Sequence, residues 1–192
     1  MIRNAEQCDV QRLLDIYSTY VLETSFTFEY AVPSLGDFSA RIEDVQKQYP
    51  WLVCELGGVV IGYAYASQVF KRAAYQWNAE LSIYIDKNYH GRGIATAFYH
   101  CLEELLLQQG YYNLYAVITS SNKNSLALVD KLGFVQTGHY KNVGFKLGSW
   151  HDVLWLTKTV KEAIDDKPAV PLAYNSLDQE GVKAVFERWQ VK

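Results

Sequence analysis

The chain has 192 residues, is 49% hydrophobic and carries a formal net charge of −3 at pH 7. That size and apolar content allow one good core, so one folded domain is expected rather than two. The mild acidity offers no basic stripe for nucleic acid. No stretch reaches the roughly 20 apolar residues that cross a membrane, and the start lacks a basic segment followed by an apolar run, so a cytoplasmic protein is expected.

Along the chain, Ile2 to Asn4 is too short to assign by itself. Val10, Leu13, Leu14, Tyr17 and Val21 have helical spacing over 10–22. A second helix is expected over 35–48, opened by Ser34 after Pro33 and stopped by Pro50. The apolar, β-branched and aromatic runs 51–55 and 59–66, joined by Leu56-Gly57-Gly58, predict a hairpin. A strand at 79–85 follows, then the run His90-Gly91-Arg92-Gly93-Ile94-Ala95 and a helix over 96–109 with Ala97, Phe98, Cys101, Leu102 and Leu105 on one face.

Beyond it the pattern predicts a strand at 112–118, a helix over 124–132 ended by Gly133, and strands at 134–140 and 153–159. The order βααβββαβαββ implies a mixed α/β sheet, parallel only between the strands flanking the glycine turn. Residues 160–192 change character. Asp165-Asp166-Lys167-Pro168 reads as a linker, and Val182, Val185, Phe186 and Trp189 as a short amphipathic helix that docks on its own domain or on a dimer partner. No internal repeats occur.

Three cysteines, Cys8, Cys54 and Cys101, are odd in number and far apart, with no Cys-x-x-Cys and no His at ligand spacing. Structural thiols in a reducing compartment are expected, with neither a disulfide framework nor a metal site.

The glycine run carries the chemistry. A glycine turn between a strand and a helix lets backbone N–H groups converge at a helix N-terminus, which suits a pyrophosphate. A dinucleotide fold would need a third glycine and an acid after the next strand. Here that strand leads into Thr119-Ser120-Ser121-Asn122, without an acid.

Strand, glycine turn, helix and strand, then Asn122-x-x-Ser125 and a helix ending Lys131-Leu132-Gly133-Phe134, resemble the GNAT superfamily of N-acetyltransferases. Further motifs look like its phosphinothricin N-acetyltransferase subfamily: Tyr49-Pro50-Trp51-Leu52-Val53, Tyr63-Ala64-Tyr65-Ala66, the run from Arg72 to Glu80, Gly144-Phe145-Lys146 and Trp150-His151-Asp152-Val153. The likeness covers residues 1–160 as an N-acetyltransferase domain and leaves 161–192 outside. It implies a mostly antiparallel central sheet of about seven strands with helices on both faces.

The resemblance also implies roles. Acetyl-CoA would be the cosubstrate, with no metal, held by Ile83, Tyr84 and Ile85 on the strand before the turn, by His90, Gly91, Arg92, Gly93, Ile94, Ala95 and Thr96, and by Asn122 and Ser125. Glu80 would be the general base; from the residues alone it reads sooner as a strand carboxylate paired with Arg72. A backbone N–H among Ser82 to Ile85 would serve the oxyanion, with the thioester arm pairing along a splayed strand edge.

Phe28, Arg72 and Tyr75 would hold the acceptor, the guanidinium suiting a carboxylate or phosphinate. Lys146 and His151 are further candidates, in a 144–152 loop that either reaches a neighbouring subunit's site in a homodimer or braces the fold. Two positions depart from the pattern. His90 replaces the usual Arg or Gln, and Val129 stands where relatives carry the Tyr or His assigned to protonate the thiolate.

The implied activity is acetylation of the α-amino group of a small amino acid or an amino-acid-like toxin such as phosphinothricin or methionine sulfoximine. Alternatives are a protein N-terminal acetyltransferase, which would want an open peptide groove where Phe26, Phe28, Tyr65 and Tyr75 suggest a closed pocket, and a non-catalytic CoA-binding module, suggested by Val129.

Overall fold

The computed structural model describes residues 1–162 and 167–191; Asp165 and Asp166 of the expected linker lie outside them. The described residues form one seven-stranded sheet in the order β1-β2-β3-β4-β5-β7-β6. Strands β1 (Ile2–Asn4), β2 (Trp51–Leu56), β3 (Val59–Gln68) and β4 (Asn78–Ile85) run antiparallel, as do β5 (Asn113–Thr119), β7 (Ser149–Thr159) and β6 (Val135–Lys146). Only β4 and β5 pair in parallel, which the helical crossover between them requires. Ile2–Asn4, too short to assign from its own residues, becomes a strand because Leu52–Cys54 offers it an edge.

Helices α1 (Val10–Glu23) and α2 (Leu35–Gln46) cover one face, packing Leu13, Tyr17, Phe38 and Ile42 on Trp51, Val53 and Tyr63. The expected cap holds at α2, where the Ser34 hydroxyl accepts from Asp37 N. On the other face lie α3 (Ile94–Gln109) and α4 (Lys123–Lys131), whose Phe98, Leu102, Leu105 and Val129 meet Leu52, Ala64, Leu81, Leu114 and Ala116. Alternating strand residues therefore serve two cores.

Expected strands at 134–140 and 153–159 prove too short, and the 144–152 loop is a correction. It is the end of a hairpin whose two-residue turn, Leu147-Gly148, has φ of 51° and 74°, the doubly positive pattern that matches strand twist. Register shifts between Gln136 and Gly138 and between Tyr140 and Gly144 interrupt the alternation, which hides the strand from a period-two reading.

The tail folds back on its own chain. Helix α5 (Gln179–Arg188) buries Val182 and Val185 in the core containing α3. Trp189 stacks on His100 with centroids 4.2 Å apart and donates its Nε1–H to Glu104 at 2.8 Å. Tyr174 OH donates to Asn4 Oδ1 at 2.6 Å, beside β1.

Candidate active site

The β4–β5 ladder stops at Glu80 and Tyr115. Beyond that point the strands part around a cleft of about 540 Å³, lined by Leu81 to Ile85, Tyr89 to Thr96, Val117 to Thr119, Asn122 and Ser125 among others. The splayed edge expected from the resemblance is therefore present, and the sequence-predicted residues Ile83, Tyr84, Ile85, His90 to Thr96, Asn122 and Ser125 all border one cavity.

Gly91 and Gly93 take φ of 75° and 78°, a region open to glycine at little cost. They bend the chain into α3 so that, among the described residues, the amides of Gly91 to Thr96 donate to no acceptor; the first helical bond is Ala97 N to Gly93 O. A helix N-terminus with this many open donors attracts an anion. Arg92 adds a guanidinium over the Tyr89 ring at 5.0 Å. Asn122 spends its side-chain oxygen capping α4, accepting from Ser125 N at 3.2 Å.

His90 turns away from the amides. Its Nε2 lies 3.0 Å from Ile85 O and 3.2 Å from Tyr20 OH. Tyr20 OH accepts from Ile85 N at 3.1 Å and donates to Ile85 O at 2.6 Å. Asp86 N bonds Ile61 O on the β3 side, so by alternation Ile85 and Ile83 turn their main-chain groups into the gap. Tyr20 occupies both of Ile85's; Ile83 lies past the last residue that β5 pairs. Thr119 Oγ1 also borders the cleft, buried and without a partner among the described residues. Sequence reasoning missed Tyr20 and Thr119, since neither belongs to a motif.

Val129 does not reach the cleft. It is fully buried on α4, in the core shared with α3.

Glu80 sits between Ser67 on β3 and Tyr115 on β5 in the sheet register. Burial pushes its carboxyl above the usual range, and among the described residues it forms no ion pair. Arg72 is exposed and likewise unpaired, so the structural pairing of the two is not made. Arg72 and Tyr75 belong to the β3–β4 connection, where the Tyr75 ring leans on Phe70 with centroids 4.8 Å apart.

Phe28 lies elsewhere, under the hairpin tip. Its ring fills the place that a Cβ on Gly144 would take. Lys146 is buried and donates from Nζ to Thr27 O at 2.7 Å, while His151 Nε2 is 2.9 Å from Lys146 O. Burial pulls the Lys146 ammonium below its ordinary pKa. Within this chain these two side chains hold the 24–30 loop to the hairpin. The expected crowd of Phe26, Phe28, Tyr65 and Tyr75 is not one cluster: Phe26 borders the cleft, and Tyr65 stacks on Trp51 at 4.1 Å.

Comparison with known proteins agrees with this fold. Residues 2–155 match the acetyltransferase (GNAT) domain model. The chain is 30% identical over 171 residues to the phosphinothricin N-acetyltransferase of Streptomyces viridochromogenes, covering 89% of this chain and 93% of that one. It is 29% identical over 157 residues to the L-methionine sulfoximine/L-methionine sulfone acetyltransferase of Pseudomonas aeruginosa, covering 81% and 91%. A crystal structure of a GNAT superfamily phosphinothricin acetyltransferase from Sinorhizobium meliloti, in complex with acetyl-CoA, superposes with a TM-score of 0.85 at 32% identity over 92% of this chain and 98% of that one. A glycine turn with open amides, strands that part beside it and a half-buried glutamate at the parting are thus set in the frame of the GNAT acetyltransferase family, to whose phosphinothricin N-acetyltransferase-like branch this N-acetyltransferase chain belongs.

Proposed function

We propose that this protein transfers the acetyl group of acetyl-CoA to the α-amino group of a small amino acid or an amino-acid-like toxin of the phosphinothricin or methionine sulfoximine type. The observation that carries the reading is Glu80, a half-buried carboxylate that forms no ion pair among the described residues, at the point where two strands part beside a row of open amides. The residues fit the cosubstrate: Gly91 to Thr96 offer main-chain donors for its pyrophosphate, and Ile83 offers a strand edge for its arm. Acetyl-CoA supplies an acetyl group activated as a thioester.

This chain's groups do the rest. The acceptor arrives as an ammonium, and Glu80 takes its proton directly or through one water; burial strengthens the base by disfavouring its charged form. A gap-facing N–H, best that of Ile83, donates to the carbonyl oxygen as charge gathers there. Arg72 meets the acceptor carboxylate, with Tyr75 shaping the space around it. No side chain at 129 gives a proton to sulfur. As the C–N bond forms and the C–S bond breaks, a thiol with a pKa of about 8.5 leaves acceptably as thiolate and takes, through water, the proton that the new amide nitrogen sheds.

The same reading makes 1–160 the acetyltransferase domain, with the tail as its brace, in a cytoplasmic homodimer. The exposed Val135, Tyr140, Val143, Phe145, Leu147 and Trp150 give β6 and β7 an apolar surface for a second copy. Thiol release on an amine panel, with thermal shifts by acetyl-CoA, NAD and ATP, tests the activity. Acetyl-CoA at a hundred times Kd adds about 2.7 kcal/mol. No shift with acetyl-CoA in a protein that shifts with NAD or ATP overturns the reading. A second reading, a CoA-binding module without catalysis, draws on the burial of Val129; tight acetyl-CoA binding with no turnover on any amine would favour it.

A further inference from the structure

The sheet beside Glu80 is walled with rings. Register places Ser67, Glu80, Tyr115 and Thr157 in one row, and the next pleat brings Tyr65 and Ser82 on one side of the gap and Val117 and Trp155 on the other. Residues opposite one another share a face, so Tyr115 and Trp155 stand on the face that carries Glu80. Phe70 arrives from the β3–β4 connection. Its ring meets Tyr115 edge-on at 6.0 Å and lies nearly parallel to Trp155 at 5.8 Å. Tyr140 leans on Trp155 at 5.9 Å.

The wall is not closed over. Phe70, Tyr115 and Trp155 are half-buried, and Tyr75 and Tyr140 are exposed. Nor is it charged: among the described residues no cation stands over any of these rings. The connection carries two exposed cations, Lys71 and Arg72; Arg72, without an ion-pair partner among the described residues, would be occupied by a single acceptor carboxylate. A second anionic group laid on the rings themselves would lose hydration with no cation over them in return. A ring or a thioether would instead gain stacking and apolar burial.

We infer that the acceptor is an α-amino acid with an aromatic or long apolar side chain, which lies on the Phe70, Tyr115 and Trp155 wall while its amine meets Glu80 and its carboxylate meets Arg72. The inference rests on the N-acetyltransferase reading above and narrows it away from acceptors with anionic side chains.

Steady-state turnover of the full chain with acetyl-CoA tests it, using L-phenylalanine, L-methionine, L-alanine, L-glutamate and phosphinothricin as acceptors. The wild type should show kcat/KM for phenylalanine and methionine about tenfold or more above glutamate and phosphinothricin, the usual worth of apolar pocket contacts. In Phe70→Ala the phenylalanine-to-alanine ratio of kcat/KM should fall about tenfold, with Phe70→Leu in between. Preference for glutamate or phosphinothricin would overturn the inference and leave the enzyme reading standing. So would a Phe70→Ala variant that slows phenylalanine and alanine alike, or one that changes oligomeric mass and not the ratio, since the rings would then serve packing or a second copy. No turnover on any amine, despite an acetyl-CoA shift, would overturn both.

Discussion

In the proposed reading, the cosubstrate side of the site works through main chain, and the acceptor side works through side chains. On the first, Gly91 to Thr96 turn a row of amides toward one cleft because glycines at 91 and 93 allow positive φ. On the second, Glu80, Arg72, Tyr75 and Phe70 come from β4 and the connection before it, and Tyr115 and Trp155 from β5 and β7. A site made of backbone donors tolerates many side chains and loses function when its torsions are disturbed. One made of side chains behaves the opposite way, and the following substitutions measure that contrast.

The largest effect belongs to Glu80→Gln, which should lower kcat by about 10²- to 10⁴-fold, the range for loss of a general base, while the acetyl-CoA Kd holds. Equal activity at neutral pH would make Glu80 a structural carboxylate. The wild type should also lose kcat/KM on acidification at a pH above roughly 4.3, since burial holds the proton on and only the ionised form is a base. The sign for stability is the reverse. A carboxyl whose folded pKa exceeds its unfolded pKa favours the fold below the unfolded value and loses that contribution as pH rises through the folded one. Near neutral pH, Glu80→Gln should therefore melt no lower than the wild type while being far less active.

Next comes Arg72→Ala. A charge-assisted pair is worth roughly 1.5–3 kcal/mol, or about one to two decades in KM for the amino acid. The acetyl-CoA thermal shift should stay. Among the described residues the Arg72 side chain has no partner to lose, so a variant that melts earlier at constant KM would contradict the assignment.

Gly93→Ala acts on the other wall. A Cβ there meets no atom within 4 Å, so space is not the obstacle; the φ of +78° is. An L-residue in that region costs about 1–2 kcal/mol. If the turn flattens to relieve this, its amides no longer converge, and acetyl-CoA should bind about tenfold more weakly with KM for the amino acid little changed. Unaltered acetyl-CoA affinity in a variant of lowered Tm would show that the turn keeps its shape and the strain stays in the fold.

The same contrast governs what could be read from the sequence. His90 to Thr96 announce themselves because a turn that needs positive φ needs glycine, and glycine is visible. The amphipathic faces of α1 and α3 and the Ser34 cap are legible for equally local reasons. The hairpin at 144–152 was hidden by bulges that break its alternation, and its turn places Leu147 at positive φ, where glycine would have signalled it. Phe70 lies in an irregular connection and meets Trp155 from 85 positions away in the chain; nothing in its neighbours foretells the contact. Tyr20 is one apolar-spaced helical residue among several, and only the parting of β4 from β5 gives its hydroxyl a main-chain partner in Ile85.

The smallest effect should come from His90→Ala. The usual Arg or Gln of the family's turn is absent here, so a view in which side chains hold the pyrophosphate would make position 90 decisive. Its imidazole instead points back to Ile85 O and Tyr20 OH, and Tyr20 keeps its own bonds to Ile85 when the ring is gone. The donors that face the cleft, at Gly91 to Thr96, are untouched. Removing an exposed side chain in such a place changes free energies by about 0.5 kcal/mol or less, or roughly twofold in affinity. Isothermal titration with acetyl-CoA and with CoA would show it. A tenfold loss for both ligands would mean that His90 swings round to the phosphates when they bind, and that this wall is not made of main chain alone.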